Sequence, residues 1–150
     1  MNLSGSHLLK ASRDHVFGLM LKPEVLRKCI PGCEKLTETT PDHYDILMKV
    51  GIGAIKGTFT GKVVLKDKEP PARFAMLING TGAPGWLKGQ AVIELANKDS
   101  GTEVHHNAEL TVGGLIAGVG SRMIGVVAKQ LTEQFFKALA AQVESKASHK

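Results

Sequence analysis

From Gly113 to Leu139 the chain reads GGLIAGVGSRMIGVVAKQLTEQFFKAL, a glycine-rich and then strongly amphipathic stretch that follows more than a hundred residues patterned mainly as strands. A single long helix closing a strand-rich chain has an apolar face to bury, and the largest surface available to it is the sheet. Leu115, Val119, Met123, Val127, Leu131, Phe135, Leu139 and Val143 recur every four residues, with Ile116, Ile124 and Phe136 beside them, which predicts a broad core-facing stripe. Lys129, Gln130, Glu133, Gln134 and Lys137 fall largely on the other side, and Glu133 precedes Lys137 in the favourable order. The first half is unusual. Gly113, Gly114, Gly118, Gly120 and Gly125 each weaken a helix by about 1 kcal/mol relative to Ala, so they signal close backbone approach or space left for another molecule.

Upstream, residues 3 to 10 read as a short strand, Ser12 as the N-cap of a helix through Val16, Phe17 and Met20, and Pro23 as the opening of a second short helix that Pro31 and Gly32 stop. The period then becomes two. Tyr44, Ile46, Met48 and Val50 share a face, as do Phe59, Gly61, Val63 and Leu65, then Phe74, Met76 and Ile78, then Ala91, Ile93 and Leu95, and last Val104, His106, Ala108, Leu110 and Val112. Short turns at Asp67 to Pro71 and Asn97 to Gly101 predict antiparallel neighbours. The expected order is strand, two short helices, about six antiparallel strands and a long helix. This is an α+β architecture of about seven strands in one domain over residues 1–150, and a sheet of that size twists and curls around the helix.

With 43% apolar and 22% charged residues, the chain has the composition of a globular domain, and it lacks an apolar run of the roughly 18 residues that a membrane helix needs. MNLSGSHLLKASRD has neither the charged start nor the apolar run of a secretory signal, so a cytoplasmic location is expected. The net charge of +5 is scattered, and one Trp, one Tyr and five Phe give little to stack on bases, which argues against nucleic acid as a partner. Cys29 and Cys33 in KCIPGCEKL match neither a thioredoxin-like pair nor a zinc ribbon and are expected to be reduced thiols at a turn, with no metal.

Several motifs fail on context. Gly80, Gly82 and Gly85 spell GxGxxG, but Pro84 lies inside it and the strand-like WLKGQAVIEL follows, where a dinucleotide site needs a helix. GTFTGKV falls one residue short of a P-loop and has no Ser or Thr after Lys62. Asn79-Gly80-Thr81 matches a glycosylation acceptor, which has meaning only for a secreted chain. No Ser stands in a nucleophile elbow, and Asp45, Glu94, Glu103 and Glu109 all fall on the polar parity, so no inward pair of carboxylates is available for acid/base work. His105 and His106 point to opposite faces; His106 shares the apolar one, as either a core histidine or a contact to a ligand headgroup.

The wording of IPGCEKL at 30 to 36, KGTFTGKVVLKDKEPP at 56 to 71, GTGAPGWLKGQA at 80 to 91, VGGLIAGVGSRMI and KQLTEQFF resembles the family of the G subunit of carbon monoxide dehydrogenase, whose START-like helix-grip fold clasps a C-terminal helix in a curved sheet over an apolar pocket. The resemblance covers residues 2 to about 140. It implies a non-enzymatic companion of a molybdenum hydroxylase that binds a quinone-like or lipid-like molecule and brings the enzyme to the membrane, with no covalent or metal cofactor. Leu115 and Gly118 stand where GGKLAQ is typical, and His106 where Tyr is common. Members often carry a C-terminal tail with an apolar anchor, whereas this chain reads VESKASHK to Lys150, so peripheral contact with the inner membrane face is expected.

Under this resemblance Phe59, Met76, Ile78, Ala91 and His106, faced by Leu115, Val119 and Met123, are expected to line an apolar pocket in which Met, Ala and Gly leave volume. Trp86 is expected either at its mouth or as a core aromatic capping the sheet. With Pro84, Leu87, Lys56 and Lys88, and with Ile52 and Ile55 of VGIGAIKG as the other lip, it would meet a membrane or a partner. Two alternatives use the same fold: an enzyme of the cyclase or dehydratase type, and an interaction or maturation module with a filled core.

Overall fold

The alternating segments form one sheet whose greasy face turns to the last helix. The structure, a computed structural model, describes residues 1–53 and 55–148, with side chains through Val143. In chain order the elements are β1 (Asn2–Leu9), α1 (Arg13–Met20), α2 (Pro23–Cys29), β2 (Cys33–Thr40), β3 (His43–Ile52), β4 (Ile55–Glu69), β5 (Arg73–Gly82), β6 (Gly85–Lys98), β7 (Gly101–Gly113), a 3-10 turn at Leu115–Val119 and α3 (Ser121–Ser148). The strand order is β1-β7-β6-β5-β4-β3-β2, antiparallel at every step. This is the α+β helix-grip architecture.

Ser12 caps α1 by accepting from the His15 amide at 3.3 Å, and Pro23 opens α2, as the sequence predicts. Both helices press Val16, Phe17, Leu19, Met20, Val25 and Cys29 into a first core cluster with Phe74, Leu95, Val104 and the late α3 residues Phe136, Leu139 and Val143. A second, smaller cluster at the other end joins Ile55 and Phe59 to Ile116, Ile124 and Val127. Between the two, the inner-face residues Ile46, Met48, Ile78, Ala108 and Leu110 are only half-buried. Cys29 and Cys33 are free thiols, and burial pushes both up from their ordinary range, which keeps them protonated and unreactive near neutrality.

Two expectations need correction. The segment from Gly113 is not one helix, because the 3-10 turn and α3 are separated at Gly120, whose φ of 95° is a conformation that L side chains rarely adopt. The four-residue stripe also fails to stay on one face. Four residues advance about 400° around a helix, so a strict i+4 row drifts by about 40° per step. The buried set is Ile116, Ile124, Val127, Phe136, Leu139 and Val143, while Phe135 is half-buried, packed edge-on against Phe136. Phe136→Ala is therefore expected to cost about 3–5 kcal/mol in denaturant melts and Phe135→Ala less than half of that; equal losses would show that the helix is rotated from this placement.

Candidate functional site

Strand β1 supplies the floor of the site. Its inner-facing Leu3, Gly5 and His7 pair with Ala108, His106 and Val104 of β7. Helix α3 crosses above this edge with small side chains toward it, Gly125, Ala128 and Thr132 at helical spacing, flanked by Lys129 and Glu133. The gap left between strand and helix is a cleft of about 530 Å³. A bulkier helix face would have closed it.

Three near-parallel rings mark its inner wall. His7 stacks on Phe136 with centroids 4.0 Å apart, and His106 lies 5.6 Å from Phe136 and 5.4 Å from His7. The His106 imidazole lies so close over Gly5 that a Cβ there would sit 2.9 Å from its Nε2, so the absence of a side chain at position 5 makes the ring's position possible. That Nε2 is buried and has no hydrogen-bond partner among the described residues. Burial lowers the His106 pKa, and the neighbouring His7 and His105 lower it further. Burial also lowers that of His7, against an opposing pull from Glu133. Both rings are therefore neutral near pH 7, each with one N–H to donate and one ring nitrogen to accept. Such a pair, set in an apolar wall, is suited to orienting a carbonyl, hydroxyl or similar polar head while the body of the molecule stays on greasy surface. Among the described residues no group of His, Cys, Asp and Glu is arranged to hold a metal.

The structure places the sequence-predicted residues unevenly. Phe59 and Ala91 are buried on the inner face, Met76 and Ile78 are half-buried there, and His106 reaches the cleft. Leu115 and Met123 do not join them, being 79% and 44% exposed, and Val119 is half-buried in the 3-10 turn. The inward positions are taken by Ile116 and Ile124, a consequence of the helical drift and of the break at Gly120. Trp86 lies on the opposite face of the sheet, 41% exposed, with its indole over Gly113. Strand parity decides this, since Trp86 pairs with Thr81 and Gly113 while Ala91 pairs with Met76 and Ala108.

The expected lip residues divide between buried and exposed positions. Ile52 and Ile55 pair across the β3–β4 hairpin and turn into the second cluster, Pro84 is buried against Gly57, and Leu87 is half-buried over Gly80, whereas Lys56, Trp86 and Lys88 are exposed. Sequence reasoning missed Leu3, Gly5, Thr132 and Glu133 as lining residues. The signal available was the small-residue spacing on α3, but only the pairing of β1 with β7 shows what those residues face.

With this geometry in view, comparison with known proteins is decisive on family. Residues 5–144 match the family described as the G subunit of carbon monoxide dehydrogenase, CoxG. The chain belongs to the CoxG family. Among solved structures, a conserved protein of Geobacillus kaustophilus is 34% identical with a TM-score of 0.94, the alignment covering 97% of this chain and 96% of that one. A START superfamily protein of Mycobacterium smegmatis matches at TM-score 0.76 and 14% identity over 96% of this chain and 97% of that one. A Thermus thermophilus protein matches at 0.75 and 13% over 97% and 99%. The last two show the START-like fold alone. Comparison with curated proteins found no match.

The neutral histidines carry a pH dependence whose sign is determined. Their folded pKa values lie below the ordinary 6.5, so as pH falls through 6.5 the unfolded chain takes up protons that the folded chain refuses. This contribution to stability is complete above about pH 7 and declines on acidification until the folded pKa values are reached. Urea midpoints at about pH 7.5 and about pH 5 are expected to fall with acid, and to fall less for His106→Gln; an unchanged slope in that variant would mean that His106 is freely solvated.

Proposed function

We propose that this CoxG-family protein is a non-catalytic accessory of a molybdenum hydroxylase of the carbon monoxide dehydrogenase type. In this reading it works in the cytoplasm and holds a hydrophobic molecule, quinone-like or lipid-like, between β1 and α3 with the polar head at His106. The observation that carries the reading is the unpartnered, buried Nε2 of His106 at the wall of the 530 Å³ cleft. An unmet buried polar group costs about 1–3 kcal/mol, and a small adjustment of the ring toward a ligand carbonyl or hydroxyl recovers it. Family membership supports an accessory rather than a catalytic role. The binding residues are then His106 and His7 for the head and Leu3, Ala128 and the inner-face Ala91, Met76 and Ile78 for the body. Native mass spectrometry and solvent extraction of protein purified from its own host are expected to release a quinone or lipid, with occupancy reduced by His106→Leu and lost in Ala128→Phe, whose added ring projects into the cleft and obstructs it. Full occupancy in Ala128→Phe, or no bound molecule in the parent, overturns the assignment.

Membrane contact, if the partner enzyme is to be served there, falls in this reading to residues other than Trp86 and Leu87. Leu115, Met123 and Val126 are exposed on the 3-10 turn and the start of α3, with Arg122 and Lys129 exposed on the same helix. Among the described residues no helix is long and apolar enough to cross a bilayer. The proposed attachment is peripheral, the apolar side chains entering the headgroup region and each basic residue adding about 1 kcal/mol on anionic lipid. Binding to phosphatidylglycerol vesicles is expected to be weak, to fall as salt is raised, and to fall further for a Leu115→Ser/Met123→Ser variant; equal binding by that variant would place docking on a protein surface.

A further inference from the structure

The outer face of the sheet, turned away from α3, carries a trough of about 600 Å³ that runs across β2 to β6 and has no part in the cleft. Its floor crosses Gly61 and Gly80, which are paired across β4 and β5. A Cβ at Gly61 would lie 2.6 Å from the Asn79 carbonyl oxygen, so a side chain there would force the backbone to shift. The walls are two cross-strand rows. One runs from Lys35 through Leu47, Thr60 and Thr81 to Trp86; the other includes Asp45, Lys62 and Lys88.

The charges are unbalanced. Lys62 is 3.4 Å from Asp45, the one acidic residue of the lining, while neither Lys35 nor Lys88 has a carboxylate partner among the described residues. Half-buried Leu47 and the exposed Trp86 thus line opposite ends of the trough with threonines between them, and two free ammonium groups stand at the rim. We propose that this trough is a second binding site, for a small anionic amphiphile whose flat apolar body lies between Leu47 and Trp86 and whose acid group is met by Lys35 or Lys88. Stacking on the indole and a charge-assisted hydrogen bond are the two interactions that such a molecule uses. The site is independent of the ligand assigned to the cleft.

Trp86 is the sole tryptophan of the chain and therefore reports this face directly. Titration with 8-anilinonaphthalene-1-sulfonate is expected to quench Trp86 emission saturably with energy transfer to the dye. Lys35→Glu/Lys88→Glu, two exposed positions, is expected to weaken that signal by about tenfold, and the uncharged N-phenyl-1-naphthylamine to bind this site at least about tenfold less tightly than the sulfonate. Ala128→Phe, which blocks the cleft, is expected to leave the affinity within about twofold. Absence of saturable quenching, indifference to charge reversal, equal binding of the neutral dye, or loss of the signal in Ala128→Phe would each overturn the second site.

Discussion

The pairing of β1 with β7 is the interaction on which the remaining structure depends. It joins Leu9 to Thr102 and Asn2 to Glu109, about a hundred residues apart in the chain, and turns a run of sequential hairpins into a sheet with α1 and α2 at one end. Closing such a distance costs entropy that grows only slowly with loop length, so a continuous eight-residue ladder suffices to hold it. The ladder is locked at the α1 end by Thr102, fully buried, whose hydroxyl donates to the Ala11 carbonyl oxygen at 2.7 Å. At the other end the Met1 ammonium donates to the Leu110 carbonyl at 3.0 Å. Without this strand the helix would have no neighbour at its small-residue face and there would be no cleft.

Most of the secondary structure was legible from local chemistry: Ser12 and Pro23 start helices for reasons contained in their own side chains, and period two assigns Phe59, Met76, Ile78, Ala91 and His106 to one face. Strand β2 was harder, because CEKLTETT sends a single apolar side chain, Leu36, toward the core and reads as polar, which suits an edge. The phase of α3 depended on where the helix begins, and Gly120 resets that. Trp86 is the instructive miss. Its parity with Lys88 and Gln90 was available, but the glycines around it favoured a loop reading, whereas the turn is tight and Trp86 is already in the strand. The cleft itself lay beyond local reading, since its walls are the first and last elements of the chain.

The two faces of the sheet differ in kind. The inner one has removed nearly all charge, and its histidines are kept neutral by burial. The outer one carries ion pairs such as Lys62 with Asp45 at 3.4 Å and Glu103 with both Lys98 and His105, all at least partly exposed and each worth little to stability. Tyr44 belongs to the inner set: buried and near Glu38 and Asp42, its hydroxyl is pushed up to about 12 and stays protonated at physiological pH. The sheet's contribution to the cleft is neutral imidazole, with Lys129 and Glu133 of α3 at its edge, whereas the outer face presents ammonium groups.

The walls of the cleft are held by different forces. On one side, β1 is bonded to β7 through backbone pairing along all eight of its residues, and each step of that ladder resists displacement. On the other, α3 rests there on Gly125 and Ala128, side chains too small to interlock, and is anchored on either side of them, by Ile124 and Val127 in the second cluster and by Phe136, Leu139 and Val143 in the first. The strand is thus an anvil and the helix a beam held at both ends. Widening the gap would mean bending the helix between those two anchors, so the firmness of the cleft is set by Ile124 and Val127 at one end and Leu139 and Val143 at the other, none of which lines it.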